Sequence, residues 1–476
     1  MFNRREFLKL SSAGAMTASL VPGARLAFGD PQSNDYETLL VVFLRGGCDG
    51  LHMVPPIGGA TNDRAYYELA RPSLQIPVSG NGAALPLANS AGRFGLHPRA
   101  SGLHGLYQAN KMAVVVGAGM PAPVTRSHFD AQQTMEYGTP GTTNAGSGWL
   151  TRHLNSASLP PVIVMPAISA GSLTANSLIA STDSITMGSG SDFRIDTSAW
   201  GWNARDQYTA PAPAGLNGLV ERLPELWNGN NSLEAAGRQT LDALSVIRPM
   251  NFGAYNATTN PAGYSPANGA IYPSSNFGNQ LKMIAQLVKA GVGLRVGAID
   301  FGGWDTHNGQ GVPTSTYDAY GNNVQTLSDA LTAFYTDLNG AGAANFSNGT
   351  SIVVMSEFGR RLRANGSSGT DHGYGNFMFA LGGSVNGGQL YGADTYAGLA
   401  DEALFEGEDV QVTTDFRRVL SEALIRRAGN NHLGQIFPGY GGYSPMGIFA
   451  GTDLAPDYTP LPSTVNSIFG SGFDGA

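Results

Sequence analysis

The sequence predicts a doubly wound α/β sheet with helices on both faces. Three observations lead there. Short, unbroken aliphatic runs recur along the chain, the pattern of strands buried on both faces of a parallel sheet. Between several of these runs lie segments whose apolar residues repeat at helical spacing. Hydrophobic residues make up 42% of the 476, enough for a sizeable core and too many for a globally disordered chain.

The first strand is expected in "ETLLVVFL", Glu37 to Leu44, which "RGGCDG" then breaks. Further strands are expected in "MAVVVGAG" (Met112 to Gly119), "PVIVMPAI" (Pro161 to Ile168), "LRVGAIDFGG" (Leu294 to Gly303), "SIVVMSE" and "FMFALGG". Helices are expected in "SHFDAQQTMEYG" from Ser127, and in "NFGNQLKMIAQLVKAG" (Asn276 to Gly291), where Leu281, Ile284, Leu287 and Val288 share a face. Two more are expected over Tyr320 to Leu338 and Asp415 to Gly429. Residues 169–275 depart from this alternation, being rich in Ser, Asn, Thr, Gly and Pro. They suggest a loop-rich insertion, either a lid or a surface excursion without a role.

Charge excludes one function class. The net charge is −8 and no long basic run follows residue 30, whereas a nucleic-acid binder clusters Lys and Arg to displace counterions. Charged residues are only 13% of the chain, about half the usual share of roughly 25%, and Gly, Asn, Ser and Thr take their place. Such a surface suits an exported protein.

The N-terminus is more specific. "NRREFLKL" carries Arg4 and Arg5, then Phe7, Leu8 and Lys9, followed by a weakly apolar stretch from Leu10 to Val21 and small residues at Ala27 to Gly29. That stretch is too short for a membrane span of about 20 residues. It resembles the twin-arginine export signal, with Asn3 in place of the usual Ser or Thr. The resemblance implies a signal peptide over residues 1–29, delivery by the twin-arginine (Tat) machinery, and a periplasmic or secreted mature domain from residue 30. No other segment is a convincing transmembrane helix. The lone Cys48 allows no intramolecular disulfide, so core packing and metal are left to stabilise the fold.

In open α/β sheets ligands bind beyond the carboxyl ends of the strands. Asp49 follows the first strand, Asp305 and His307 follow "LRVGAID", and Glu357 follows "SIVVMS" with Asp371 and His372 on the adjoining loop. Carboxylates gathered this way repel one another unless a cation neutralises them. Mixed oxygen and nitrogen donors suit Zn²⁺, Mn²⁺ or Fe, and Mg²⁺ or Ca²⁺ where fewer imidazoles take part. Each piece also has a plainer reading. Asp49 fits a turn, Asp305 with His307 a loop hydrogen bond, Glu357 a pair with Arg360 or Arg361, and Asp371 with His372 a loop cap.

"FLRGGCDGL", "PVTRSHFDAQQTMEYG", "GGWDTH", "SEFGRRLRANGSSGTDHGYGNFMFALGG" and "VTTDFRRVL" together resemble the "domain of unknown function 1501" family, grouped with the alkaline phosphatase and sulfatase superfamily. That resemblance implies an α/β/α sandwich around a mostly parallel sheet and one or two divalent metal ions flanking a nucleophile. Asp49, Asp305, His307, Glu357, Asp371 and His372 are the metal ligands it implies. Two departures stand out: Asp305 and His307 are separated by one residue rather than three, and Phe358 stands where a ligating His is usual. Ser127, at a helix start, is the implied nucleophile, and Ser127 with Asp130 equally matches a capping box. Arg45, Arg126 and Arg360 or Arg361 fall in the same strand-end loops, where guanidinium forks match phosphate or sulfate oxygens, and their plainer reading is as ordinary exposed arginines. Cys48, beside Asp49, is expected to serve packing. The function implied is an exported metal-dependent hydrolase of a phosphate or sulfate ester, small or polymer-borne. The alternative is a non-catalytic extracytoplasmic binding or assembly protein on a degenerate hydrolase scaffold.

Overall fold

The computed structural model describes residues 37–159, 163–190, 219–229 and 231–461. The export signal expected over residues 1–29 and residues 191–218 of the expected insertion lie outside the described residues. In chain order the strands are β1 (Thr38–Leu44), β2 (Leu85–Pro86), β3 (Gly95–Leu96), β4 (Met112–Gly119), β5 (Ala167–Ala170), β6 (Ser184–Thr186) and β7 (Val296–Phe301). After them come β8 (Thr350–Ser356), β9 (Arg360–Ala364), β10 (Thr370–His372), β11 (Asn376–Gly382), β12 (Leu390–Tyr391) and β13 (Thr414–Asp415).

One large sheet runs in the order β12-β4-β11-β8-β1-β7-β5-β6, with β13 also on β4. β1 lies parallel to both β7 and β8, and β7, β5 and β6 continue in parallel. β12 and β13 are parallel to β4. β11 is antiparallel to β8 and to β4 and is the exception in this sheet. The aliphatic run of β11 is therefore a strand, as expected, with the opposite direction to its neighbours. The reason lies in its connection: the segment after β8 folds into the antiparallel β9–β10 hairpin. It contains no crossover helix of the kind that joins parallel strands.

β1 shows how the layers form. Leu40, Val42 and Leu44 face one core with residues of the helices Ser101–Gln108, Asn276–Ala290 and Ala319–Leu338. Leu39, Val41 and Phe43 face a second core with the helices His128–Tyr137, Trp149–Ser156 and Phe416–Arg426. Alternate side chains point to opposite sides of a strand, so an unbroken aliphatic run buries both faces at once. The result is a mixed α/β fold with helices on both sides of a mostly parallel sheet.

The stretch expected to be a loop-rich insertion contributes more regular structure than its composition suggests. β5 ends and β6 lies within it, extending the sheet edge. The helix Ser232–Ile247 starts at an Asn231/Glu234 capping box and adds Ala243, Val246 and Ile247 to the first core. Buried Asp337 fastens the following loop, accepting from Tyr264 Oη at 2.5 Å, Tyr272 Oη at 2.9 Å and the Ala267 amide at 2.6 Å. No helix among the described residues is long and apolar enough to cross a membrane.

Candidate metal centre

The carboxyl ends of β1, β7 and β8 open onto one rim. The antiparallel β11 begins there too, which brings the preceding β10, with Asp371 and His372, to the same place. The loop after β1 closes tightly over this rim. Gly46 has φ +119° and a Cβ on it would lie 2.5 Å from the Asp305 amide nitrogen. Gly47 has φ +62° and a Cβ there would meet the Phe358 ring at 2.3 Å. Only residues without a side chain fit both positions.

Three side chains from distant segments converge at the rim. His128 is the first residue of the helix that follows β4, Asp305 sits on the loop after β7, and His372 ends β10. One donor atom from each lies within 4.8 Å of the others, forming a possible metal-binding triad. An ion about 2.0–2.2 Å from each N or O ligand requires that kind of spacing. His307 stands at its edge, with Nε2 at 3.2 Å from Asp305 Oδ1 and 2.9 Å from His372 Nε2.

The hydrogen bonds on the far side of each ring decide where the protons are. His372 Nδ1 lies 2.8 Å from the Arg126 carbonyl oxygen, which can only accept, so Nδ1 carries the proton. His128 Nδ1 lies 2.8 Å from Glu357 Oε1, and His307 Nδ1 lies 2.9 Å from Asp371 Oδ1. Both carboxylates therefore fix the same tautomer. In its neutral form each ring turns an Nε2 lone pair toward Asp305. His128 Nε2 is buried 3.4 Å from Asp305 Oδ2, and the Nε2 atoms of His307 and His372 lie 2.9 Å apart, a distance that a shared proton or a bound cation between them makes favourable. A divalent cation fits this donor set, and backing of each imidazole by an acceptor is how metal-binding histidines are oriented.

The electrostatics of the site follow from these contacts. Burial opposes ionisation of Asp305, but the Arg360 guanidinium 2.6 Å away and the surrounding imidazoles hold its carboxyl down at about 2. Burial also opposes ionisation of Glu357, yet hydrogen bonds from His128, Gln132 and the Gly46 amide keep it below the usual carboxylate range. The bond to Glu357 outweighs burial at His128 and raises its proton affinity. At His372, burial together with the charge of Arg360 prevails over the bond to Arg126 and lowers it.

The expected ligands divide into three groups. Asp305, His307 and His372 meet at the centre. Glu357 and Asp371 stand behind its imidazoles as hydrogen-bond acceptors, with Glu357 completely buried. Asp49 is elsewhere. It caps the short helix Gly50–Met53, and its carboxylate takes Arg71 Nη1 at 2.6 Å, Arg71 Nη2 at 3.1 Å and Gln310 Nε2 at 2.8 Å. A fully buried carboxylate needs a charged partner, and the arginine supplies it without a metal.

The remaining expected site residues are similarly engaged. Ser127 is the N-cap of its helix, with Oγ 3.5 Å from the Asp130 amide. Arg45 binds Glu136 at 2.7 Å and Asp300 at 2.8 Å, while Arg126 binds Glu406 at 2.8 Å and also Asp409. Buried Arg360 donates to the carbonyl oxygens of Gly46, Gly47 and Thr370 besides Asp305. Cys48 is buried, its Sγ 3.1 Å from Tyr320 Oη, and burial pushes the thiol well up. Phe358 packs against the rings of His128 and His372.

His128 is the member of the candidate triad that the sequence reading left aside. Its signal was present: an imidazole at the first turn of a helix just beyond the carboxyl end of a buried strand. The adjacent Ser-x-x-Asp capping pattern drew attention to Ser127 instead.

No curated protein matches the chain. The family model described as "Protein of unknown function (DUF1501)" matches residues 36–427, a span that takes in β1 to β13 and every residue of the centre. The chain belongs to this family.

Proposed function

We propose that this protein is an exported metal-dependent hydrolase that cleaves a phosphate or sulfate ester, small or polymer-borne. In this reading the sandwich is of the alkaline phosphatase and sulfatase type, and the twin-arginine motif directs the chain to the periplasm or beyond. One observation carries the metal assignment: imidazole lone pairs converge on an aspartate, each ring locked by an acceptor behind it. His128, Asp305 and His372 would hold one divalent ion. When bound, that ion would supply Lewis-acid polarisation of the ester and make water a better nucleophile. Asp305 contributes the negative charge, and Glu357 and the Arg126 carbonyl keep the imidazole lone pairs aimed inward. The half-exposed side chains of Asp305 and His307 leave the solvent side accessible to substrate.

The second reading, a non-catalytic binding or assembly protein, is favoured by a specific observation. Arg45, Arg126 and Arg360 are all committed to protein partners, so none presents a free fork to an oxyanion. Protein purified without chelator, assayed for metal content and for turnover of aryl phosphates and aryl sulfates, separates the two. Close to one equivalent of metal with turnover that chelation removes is expected. Bound metal without turnover on the panel would instead support the binding protein.

A further inference from the structure

The proposed function leaves the organic part of the ester open. We propose that Phe129 is the wall of a subsite that selects esters whose organic group presents a flat, apolar ring face. The inference rests on the reading of the rim as an ester site, but not on the identity of any ion.

A single exposed apolar side chain is ordinary on a protein surface, so placement carries the argument. Among the described residues, four large apolar side chains stand out as the most exposed: Tyr317 at 87%, Phe129 at 85%, Ile271 at 84% and Leu173 at 82%. Three of them lie on segments that leave the carboxyl ends of mutually parallel strands: Phe129 after β4, Leu173 after β5 and Tyr317 after β7. The chain therefore forgoes burial of apolar surface chiefly at the end of the sheet where ligands enter.

Phe129 is the one of the three that adjoins a member of the candidate centre. It follows His128, whose Nε2 lies 3.4 Å from Asp305 Oδ2, in the first turn of the helix His128–Tyr137. Side chains lean toward the N-terminal end of an α-helix, so position 129 serves the surface at that open end. The other described phenylalanines are buried or half-buried. An aromatic ring left uncovered here offers stacking to a ring on the ester, a gain beyond the area covered. Hydrolysis of such an ester adds the OH of water to phosphorus or sulfur, and the ring-bearing alcohol leaves with the remaining proton.

The test titrates the protein, purified without chelator, with phenylphosphonate against methylphosphonate and benzenesulfonate against methanesulfonate. Each pair shares its charged head, differs in the group that Phe129 would cover, and is not consumed. With the head that binds, the phenyl member should bind roughly 3–10-fold more tightly, Phe129→Ala should erase that preference and Phe129→Tyr should keep it. Ile271→Ala is the control. Ile271 is equally exposed, but its neighbour Tyr272 is tied to Asp337 at the far end of the helix Ala319–Leu338, so the preference should survive. Melting temperatures of all variants should match the parent's, because each change falls on an exposed side chain. Absence of a phenyl preference in the parent, its persistence in Phe129→Ala, or its equal loss in Ile271→Ala would overturn the subsite. A preference that depends on Phe129 in a protein without ester turnover would leave this inference standing and refute hydrolysis. Turnover of phenyl and methyl esters with equal kcat/KM would keep hydrolysis and overturn this inference.

Discussion

Two polar clusters lie at the same end of the sheet and share neighbours, yet they are opposites. Around Asp49, the carboxylate is answered by a buried arginine and by Gln310. Arg71 gives both its Nη atoms to the carboxylate, and passes Nε to the Leu362 carbonyl at 2.7 Å and Nη2 to the Arg361 carbonyl at 2.8 Å. Around Asp305, the Nε2 atoms of His128, His307 and His372 gather on one carboxylate. A satisfied buried network rigidifies a fold, whereas an unsatisfied one in a native protein calls for a ligand or an ion. The contrast marks the first cluster as structural and the second as the candidate metal centre, although the sequence presents both as an acid just past a strand.

The largest expected effect falls on the closed cluster. Asp49→Ala strands a buried guanidinium and should cost about 3–5 kcal/mol in urea unfolding, while an apolar double replacement, Asp49→Leu with Arg71→Met, should recover much of that. Stability unaffected by Asp49→Ala would erase the distinction between the clusters.

Acid should attack the same region next. Burial, helped by the charge of Arg71 and only partly opposed by Asp49, lowers His52 to about 4 from 6.5. The unfolded chain therefore takes up the proton first. The contribution of His52 is complete above about pH 6.5 and is lost as pH falls toward about 4, by about 1.4 kcal/mol per unit crossed, and buried His97 and His153, also lowered, add to the loss in the same direction. Denaturant midpoints measured between pH 7 and 4.5 should fall accordingly, and His52→Gln should make the slope shallower by its own share, up to about 1.4 kcal/mol per unit.

The open cluster should respond to metal rather than to truncation. Zn²⁺ at a hundredfold excess over its dissociation constant should stabilise the parent by about 2.7 kcal/mol. His372→Ala should lose this gain with little change in metal-free stability. An equal Zn²⁺ gain in His372→Ala would place the ion elsewhere. The smallest effect is expected at Ser127→Ala. Its cap contact is long, so the loss should be near the lower end for caps, about 0.5 kcal/mol, with turnover retained. Abolished turnover in this variant would reinstate Ser127 as the nucleophile.

Most of the architecture was legible because burial on both faces leaves a mark no other environment leaves. The seven residues of β1 are all buried, and their aliphatic run announces it. Strand direction left no such mark: β11 is equally apolar, and only the hairpin before it dictates that it runs backwards. The regular structure between 169 and 275 was hidden by its polar composition, since β6 is short and only its Ile185 is fully buried. At the site, residue types told where acids and imidazoles would gather but not which would be paired. Arg71, which removes Asp49 from the centre, lies on a different segment, and nothing local links them. His128 was obscured because a cap and a ligand occupy neighbouring positions of one helix start.

Because His128, Asp305 and His372 come from a helix start, a loop and a hairpin strand around a finished sheet, only the folded chain gathers them. An ion held there would therefore be captured after tertiary closure. A protein that crosses a membrane already folded would meet its metal on the side where it folded. The ion it carries would then report the supply in the compartment of synthesis rather than at its destination.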